Sequence, residues 1–426
     1  MLSATSDATS SPSFTSPGPA PGSIDTSIAA DLVSVSSGRQ LPKKGPTPAP
    51  VPAMYWSQVK TFGVSPKKIR SHTMNVIGDY IYIFGGWDNR ACYNEVFVFD
   101  SDSMHWSVAK ASGDIPPPCR AHSSTVVDRK LYIFGGGDGP NYFNDIYIFD
   151  ADTLIWTKPK VTGENPGSRR AHSSFAYNGN LYLFGGGDGA KALNDVYILT
   201  ITPIDSEPSP THHRPSHSTS SGGGGGSISA RNLAHDGTNG TAGTAHLTGT
   251  NALTSASATA ATYHWSRLET TGEPPAPRGY HTSNLIQDKL LVFGGSDGVT
   301  CFADVHILDL TTLTWSTVDC QPPIKRLAHT ATQVGSYLFV IAGHDGHHYS
   351  NEILLLNLVT MNWETRRVYG AHPPARAYHT TVLHDSRLFL HGGFDGHSLF
   401  TDLYVLDLSG YAYLPQVTDF ELAMLK

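Results

Sequence analysis

Short apolar runs, each closed by a pair of small residues, recur from residue 81 onward: IYIFGG at 81, LYIFGG at 131, LYLFGG at 181, LLVFGG at 290, LFVIAG at 338 and LFLHGG at 388. Polar stretches bearing glycine and proline separate them. The runs are too short for helices, rich in aromatic and β-branched residues, and bounded by turn formers, which predicts strands. Their near-continuous apolar character, as in LYIF, is that of a strand covered on both faces. No long stretch carries the periodicity of an amphipathic helix. The predicted class is all-β.

The runs belong to one repeat, spaced 50 residues apart in the first three copies. A histidine stands 13 residues before each small pair: His72, His122, His172, His281, His329 and His379. The pairs are Gly85–Gly86, Gly135–Gly136, Gly185–Gly186, Gly294–Gly295, Ala342–Gly343 and Gly392–Gly393. Three residues after the first member comes an aspartate (Asp88, Asp138, Asp188, Asp297, Asp345, Asp395), and ten residues after it a second acid (Glu95, Asp145, Asp195, Asp304, Glu352, Asp402). Trp106, Trp156, Trp315 and Trp363 stand 21 residues after it, and Trp56 and Trp265 occupy similar segments. Arginine precedes each histidine, as RxH at Arg70, Arg120 and Arg170 and as RxxH at Arg278, Arg326 and Arg376. These six arginines beside two sets of acids predict ion pairs that tie loops or repeats together. An arginine-lined anion site is the alternative.

Period, double glycine, following acid and tryptophan resemble the kelch repeat over about residues 55 to 414. The resemblance implies a six-bladed β-propeller, each repeat supplying a four-stranded blade. Strand A follows the histidine, strand B ends in the glycine pair, strand C is a run such as DIYIFD, and strand D starts at the tryptophan. The propeller is expected over residues 54–414, closed by an extra strand D from MYWSQVK at 54 in preference to YAYLPQV at 411. Between the third and fourth pairs the spacing doubles, which places an insertion at 204–262 between strands C and D of blade 3. That insertion and residues 1–53 are poor in apolar residues and rich in Ser, Thr, Gly, Ala and Pro, so both are expected to be disordered; residues 415–426 form a C-terminal tail.

Charge narrows the function classes. Only 15% of the 426 residues are charged and the net charge is −7, which disfavours nucleic acid and anionic membrane surfaces as partners. No apolar run reaches the length of a membrane span. The N-terminus lacks a secretory pattern, and four cysteines without a CxxC pair make no disulfide framework. A cytoplasmic location is expected, with the nucleus also open.

FGGGDG at 134 invites a phosphate-loop reading, but a strand follows where a helix N-terminus is required, and the loop has no lysine. One histidine per repeat places equivalent rings on the order of 10 Å apart, too far for one metal. Their expected role is hydrogen bonding at the start of strand A. His344, His347 and His348 form a tighter cluster, expected to be an exposed loop. Some propellers of this kind are enzymes. A galactose-oxidase-like or metal-dependent specifier site at the channel mouth is therefore the alternative function, although Cys92 and Cys301 fall on opposite blades and no ExxxDxxxH motif is found. No catalytic, cofactor or metal residue is assigned.

Positions that differ between repeats are free to specialise. Strand A starts where strand B ends, so the B–C and D–A loops share one face. Tyr93, Phe143, Leu193, Phe302 and Phe400 recur as apolar loop residues and are assigned to packing. The variable residues Trp87, Asn89, Arg90, Tyr142, Lys191, His347, His348, Phe394 and His397 are the candidate protein-binding set. Proline-rich D–A loops would hold that face rigid. The expectation is a protein–protein interaction scaffold, in a polarity, cytoskeletal, trafficking or ubiquitin-ligase assembly.

Overall fold

The computed structural model describes residues 54–204, 261–408 and Leu422. Every regular element among them is a β-strand. Six antiparallel sheets follow one another as blades, and each orders its strands A-B-C-D from the channel outward. In blade 1 these are Thr73–Ile77, Tyr80–Phe84, Val96–Asp100 and His105–Val108. The outer strand of blade 6 is Met54–Gln58, which pairs antiparallel with Leu403–Asp407, so the N-terminal candidate closes the ring.

The insertion follows Ala192–Pro203 and ends at Ala261–Leu268, which pair with each other as strands C and D of blade 3. Ala261 and Thr262, expected inside the insertion, are strand, because the pairing with Thr202 and Pro203 extends that far. The expected disorder at 1–53, the rest of the insertion and the candidate strand at 411–417 lie outside the described residues. So does the tail, apart from Leu422.

The core is six wedges rather than one centre. Each buried cluster joins adjacent blades: Ile77, Tyr82 and Phe84 of blade 1 meet Leu131, Ile133 and Trp156 of blade 2, and the pattern repeats around the ring. The tryptophan of one blade packs on the phenylalanine before the glycine pair of the blade before it, at 5.0 Å for Phe84–Trp156 and 5.2 Å for Phe134–Trp265. At the closing junction His391 takes the phenylalanine's place against Trp106.

Three closed rings of hydrogen bonds lace the blades together. The second glycine of each pair donates its N–H to the next blade's residue three before the histidine: Gly86 to Cys119, Gly136 to Arg169, Gly186 to Arg278, Gly295 to Arg326, Gly343 to Arg376 and Gly393 to Ile69. This close approach explains the pair. A Cβ on Gly135 would stand 2.7 Å from the Arg169 carbonyl, and its φ of +65° is strained for other residues. In the second ring the residue before each histidine donates to its counterpart one blade back, from Ala121 to Ser71 around to Ser71 to Tyr378. All six of these residues have positive φ. In the third, each histidine Nε2 meets the Ser or Thr that follows the preceding blade's histidine, as Thr73–His122 at 3.0 Å and Thr380–His72 at 2.8 Å.

After strand D the chain crosses over and runs parallel to strand D of the next blade, as Phe62–Gly63, Ser112–Gly113, Val161–Gly163, Thr271–Gly272 and Val368–Gly370. Blade 5 lacks such a strand and keeps four. The segment leading into it, Val318-Asp-Cys-Gln-Pro, has no glycine at this point. Leu422 is buried in the cluster between blades 4 and 5.

The repeat arginines divide into two sets, which corrects the expectation that all six pair with acids. Three of them do so within their own blade, Arg278–Asp304 at 2.6 Å, Arg376–Asp402 at 2.7 Å and Arg326–Glu352 at 2.9 Å, and so does a seventh arginine, Arg169, with Asp195 at 2.6 Å. In blade 3 the paired residue is Arg169, not Arg170. Blades 1 and 2 carry Ile69 and Cys119 there, so Arg70, Arg120 and Arg170 sit one residue later and point elsewhere. The first set of acids makes no such pairs. Their carboxylates accept backbone N–H groups of their own loop, as Asp188 does from Ala190 and Lys191, which lowers its pKa.

Arg278 also donates to the Gly294 carbonyl, fixing the B–C loop to the D–A loop. Burial alone would raise the Asp304 carboxyl; hydrogen bonds from Arg278 and His306 outweigh it and hold Asp304 well below its usual range. Arg278→Leu removes the main partner of that partly exposed carboxylate, leaves His306, and is expected to cost about 1–3 kcal/mol. Urea denaturation measures this directly, and a loss under about 1 kcal/mol would show the pair to be dispensable.

Candidate functional site

The loop face carries the variable residues because two kinds of position meet there. The residue two before each histidine bridges to the residue after the glycine pair: Arg70 to Trp87, Arg120 to Gly137, Arg170 to Gly187, Gly279 to Ser296, Leu327 to His344 and Ala377 to Phe394. These six bridges surround the channel mouth, just outside the backbone ring. Inside lies a cavity of about 180 Å³ lined by the six repeat histidines and the residues before them.

Burial pushes the histidines far toward the neutral form, to about 3 for His122, His281 and His379. They act as neutral links between blades. Among the described residues no three His, Cys, Asp or Glu side chains converge as metal ligands. His347 and His348 are exposed, and their backbone N–H groups donate to Asp345, which shapes the loop.

The mouth gathers cations and rings. Trp87 receives Arg70 at 4.7 Å and Arg120 at 4.0 Å. Arg70 also lies 4.2 Å from Phe394 and 5.5 Å from Tyr378. One blade on, Arg170 lies 4.8 Å from Tyr142. Tyr280 packs edge-on to Tyr378, and Tyr349 to Phe394. Burial lowers the Arg70 pKa, and the nearby Arg120 charge adds to that. A second cavity, about 420 Å³, opens on the same face, lined by Tyr142 of blade 2, Arg170 and Lys191 of blade 3, Tyr280 and Asp297 of blade 4, and Leu327 and Tyr378 of blades 5 and 6, among others.

Of the candidate set, the structure thus brings Trp87 and Phe394 together around Arg70, and Tyr142 and Lys191 around the larger cavity. Asn89, Arg90 and His397 stand exposed at loop tips, away from these clusters. Sequence reasoning missed Tyr280, Tyr349 and Tyr378, and placed Arg70, Arg120 and Arg170 in ion pairs of the frame, with an anion site at the channel mouth as the alternative. A signal was available: two residues before the histidine the repeats read Arg, Arg, Arg, Gly, Leu, Ala, which is variation of the kind expected at a surface. The packing assignment stands where it can be followed, since Phe302 and Phe400 lie 4.1 and 4.0 Å from the buried Arg278 and Arg376.

No helix among the described residues is long and apolar enough to cross a membrane. The family model described as the KLHDC2/KLHL20/DRC7 Kelch-repeats domain matches residues 50–130, 71–224 and 240–417. Among curated proteins, the chain is 43% identical over 56 residues to Acyl-CoA-binding domain-containing protein 5 of Arabidopsis thaliana, covering 13% of this chain and 9% of that protein. It is 50% identical over 56 residues to the Rab9 effector protein with kelch motifs of Bos taurus, covering 12% and 15%. The matches therefore span only a small part of these relatives' own length.

Proposed function

We propose, for a chain that belongs to the kelch-repeat family, that this propeller is a protein-interaction scaffold whose partner sits on the loop face around the channel mouth. The observation that carries this reading is the cluster of Trp87, Phe394, Tyr378 and Tyr142 interleaved with Arg70, Arg120 and Arg170. Aromatic and arginine side chains held rigidly in a partly buried setting are the usual anchors of protein interfaces. The frame beneath is fixed by three closed hydrogen-bond rings, so ordering these side chains on binding costs little. A relative named as a Rab9 effector supports a trafficking assembly among the settings considered.

Replacing Trp87, Phe394 and Tyr142 together by alanine is expected to abolish partner capture in a quantitative pulldown. Loss of one anchor is expected to cost about 2 kcal/mol, roughly thirtyfold in affinity. Undiminished capture by a variant with an unchanged melting temperature would place the interface elsewhere.

A further inference from the structure

Resting on that reading, we propose that the partner presents an acidic segment, whose anionic groups lie across Arg70, Arg120 and Arg170 on the half of the mouth formed by blades 1–3. These arginines differ from the other four of the repeat. Arg169, Arg278, Arg326 and Arg376 are each matched to an acid of their own blade. Among the described residues no carboxylate lies within ion-pair distance of Arg70, Arg120 or Arg170. They occupy one register position in three consecutive blades, while Gly279, Leu327 and Ala377 fill it in the other three. The positive charge is therefore an arc, not a ring.

The arc is prepared for anions. Arg70 and Arg120 both stack on Trp87, which brings two like charges close together in a half-buried setting. An anionic group between them would relieve that repulsion. Stacking engages the faces of a guanidinium and leaves its in-plane N–H donors free for carboxylate or phosphate oxygens. On a chain of net charge −7, the arc also steers an acidic partner to this face and away from others. Asp297, the acid among the described residues that lines the larger cavity together with Arg170, has one carboxylate oxygen occupied by the Val299 and Thr300 N–H groups.

Panning of a random peptide library on the whole chain, followed by titration of fluorescent hexaglutamate, hexa-phosphoserine and hexaglutamine peptides, tests this. Enriched peptides are expected to be acidic. Hexaglutamate or its phosphorylated counterpart should bind more tightly than hexaglutamine, with affinity falling as salt rises. The relative strength of those two probes tells which anion is preferred. Arg70→Gln/Arg120→Gln/Arg170→Gln should bind about a hundredfold more weakly at an unchanged melting temperature. If that variant does not fold, Arg120→Glu alone should lose hexaglutamate. Enrichment of uncharged peptides that are lost on Trp87→Ala or Phe394→Ala would overturn the acidic class and leave the scaffold reading standing. Peptides indifferent to every mouth substitution, or no enrichment at all, would overturn both. Preferential binding of oligothymidylate would also overturn the proposal, by moving the arc to nucleic acid.

Discussion

Deleting residues 1–59 is expected to abolish the cooperative unfolding transition of the propeller. The deletion removes Met54–Gln58, whose residues Tyr55 to Gln58 pair with Asp407 to Tyr404. It also removes Met54 and Trp56, which are 3% and 1% exposed in the cluster between blades 5 and 6. Loss of one buried tryptophan alone costs about 3–5 kcal/mol. Adding the methionine, the strand pairing and the uncovered edge brings the total to the order of a domain's whole stability, about 5–15 kcal/mol. The Val368–Gly370 strand would lose its partner as well. Calorimetry is the check, with a deletion ending at Pro50 as the control. A sharp transition near the control's midpoint would show that blade 6 closes without this strand.

Acid is expected to unfold the protein steeply. Burial lowers the pKa of all six repeat histidines, and of His391 to about 4. In the unfolded chain their pKa is about 6.5. Stability from these groups is therefore complete above about pH 6.5 and falls as pH drops toward the folded values, because only the unfolded state takes up protons. Six sites give a limiting slope of roughly 8 kcal/mol per pH unit, and on the order of 10 kcal/mol between pH 7 and 5. Urea midpoints at pH 7, 6 and 5 should fall accordingly. His329→Gln, which keeps a donor toward Thr282, should reduce proton uptake on unfolding by about one. A flat profile from pH 7 to 5 would mean that the histidines are charged within the fold.

The fold was legible wherever its physics repeats. The glycine pairs, the tryptophans and the period place the blades, and the doubled spacing locates the insertion. What repetition does not convey is which residue touches which. Gly86 serves the next blade through the Cys119 carbonyl, and His122 bonds Thr73 of the blade before, so residues that look internal to one repeat join two. The arginines show the limit most clearly. Arg169 and Arg170 are neighbours in the sequence, yet one is buried against Asp195 and the other faces the mouth, since adjacent positions in an extended chain point to opposite sides. Reading RxH and RxxH as one feature merged the frame with the site. The crossing glycines at 63, 113, 163, 272 and 370 recur just as regularly, but parallel strands of two or three residues leave no hydrophobic pattern to find.

The Met54–Gln58 pairing also fixes the order of events during synthesis. The strand that completes blade 6 leaves the ribosome before any complete blade exists, and its partner, Leu403–Asp407, emerges some 350 residues later. At ribosomal rates of about 5–20 residues per second the wait is roughly 20 to 70 s. Throughout it Trp56 has no blade to enter, and each newly made blade has only its predecessor to lean on. Until then the aromatic face of that strand stays uncovered, and the ring cannot close before Leu403–Asp407 has been made.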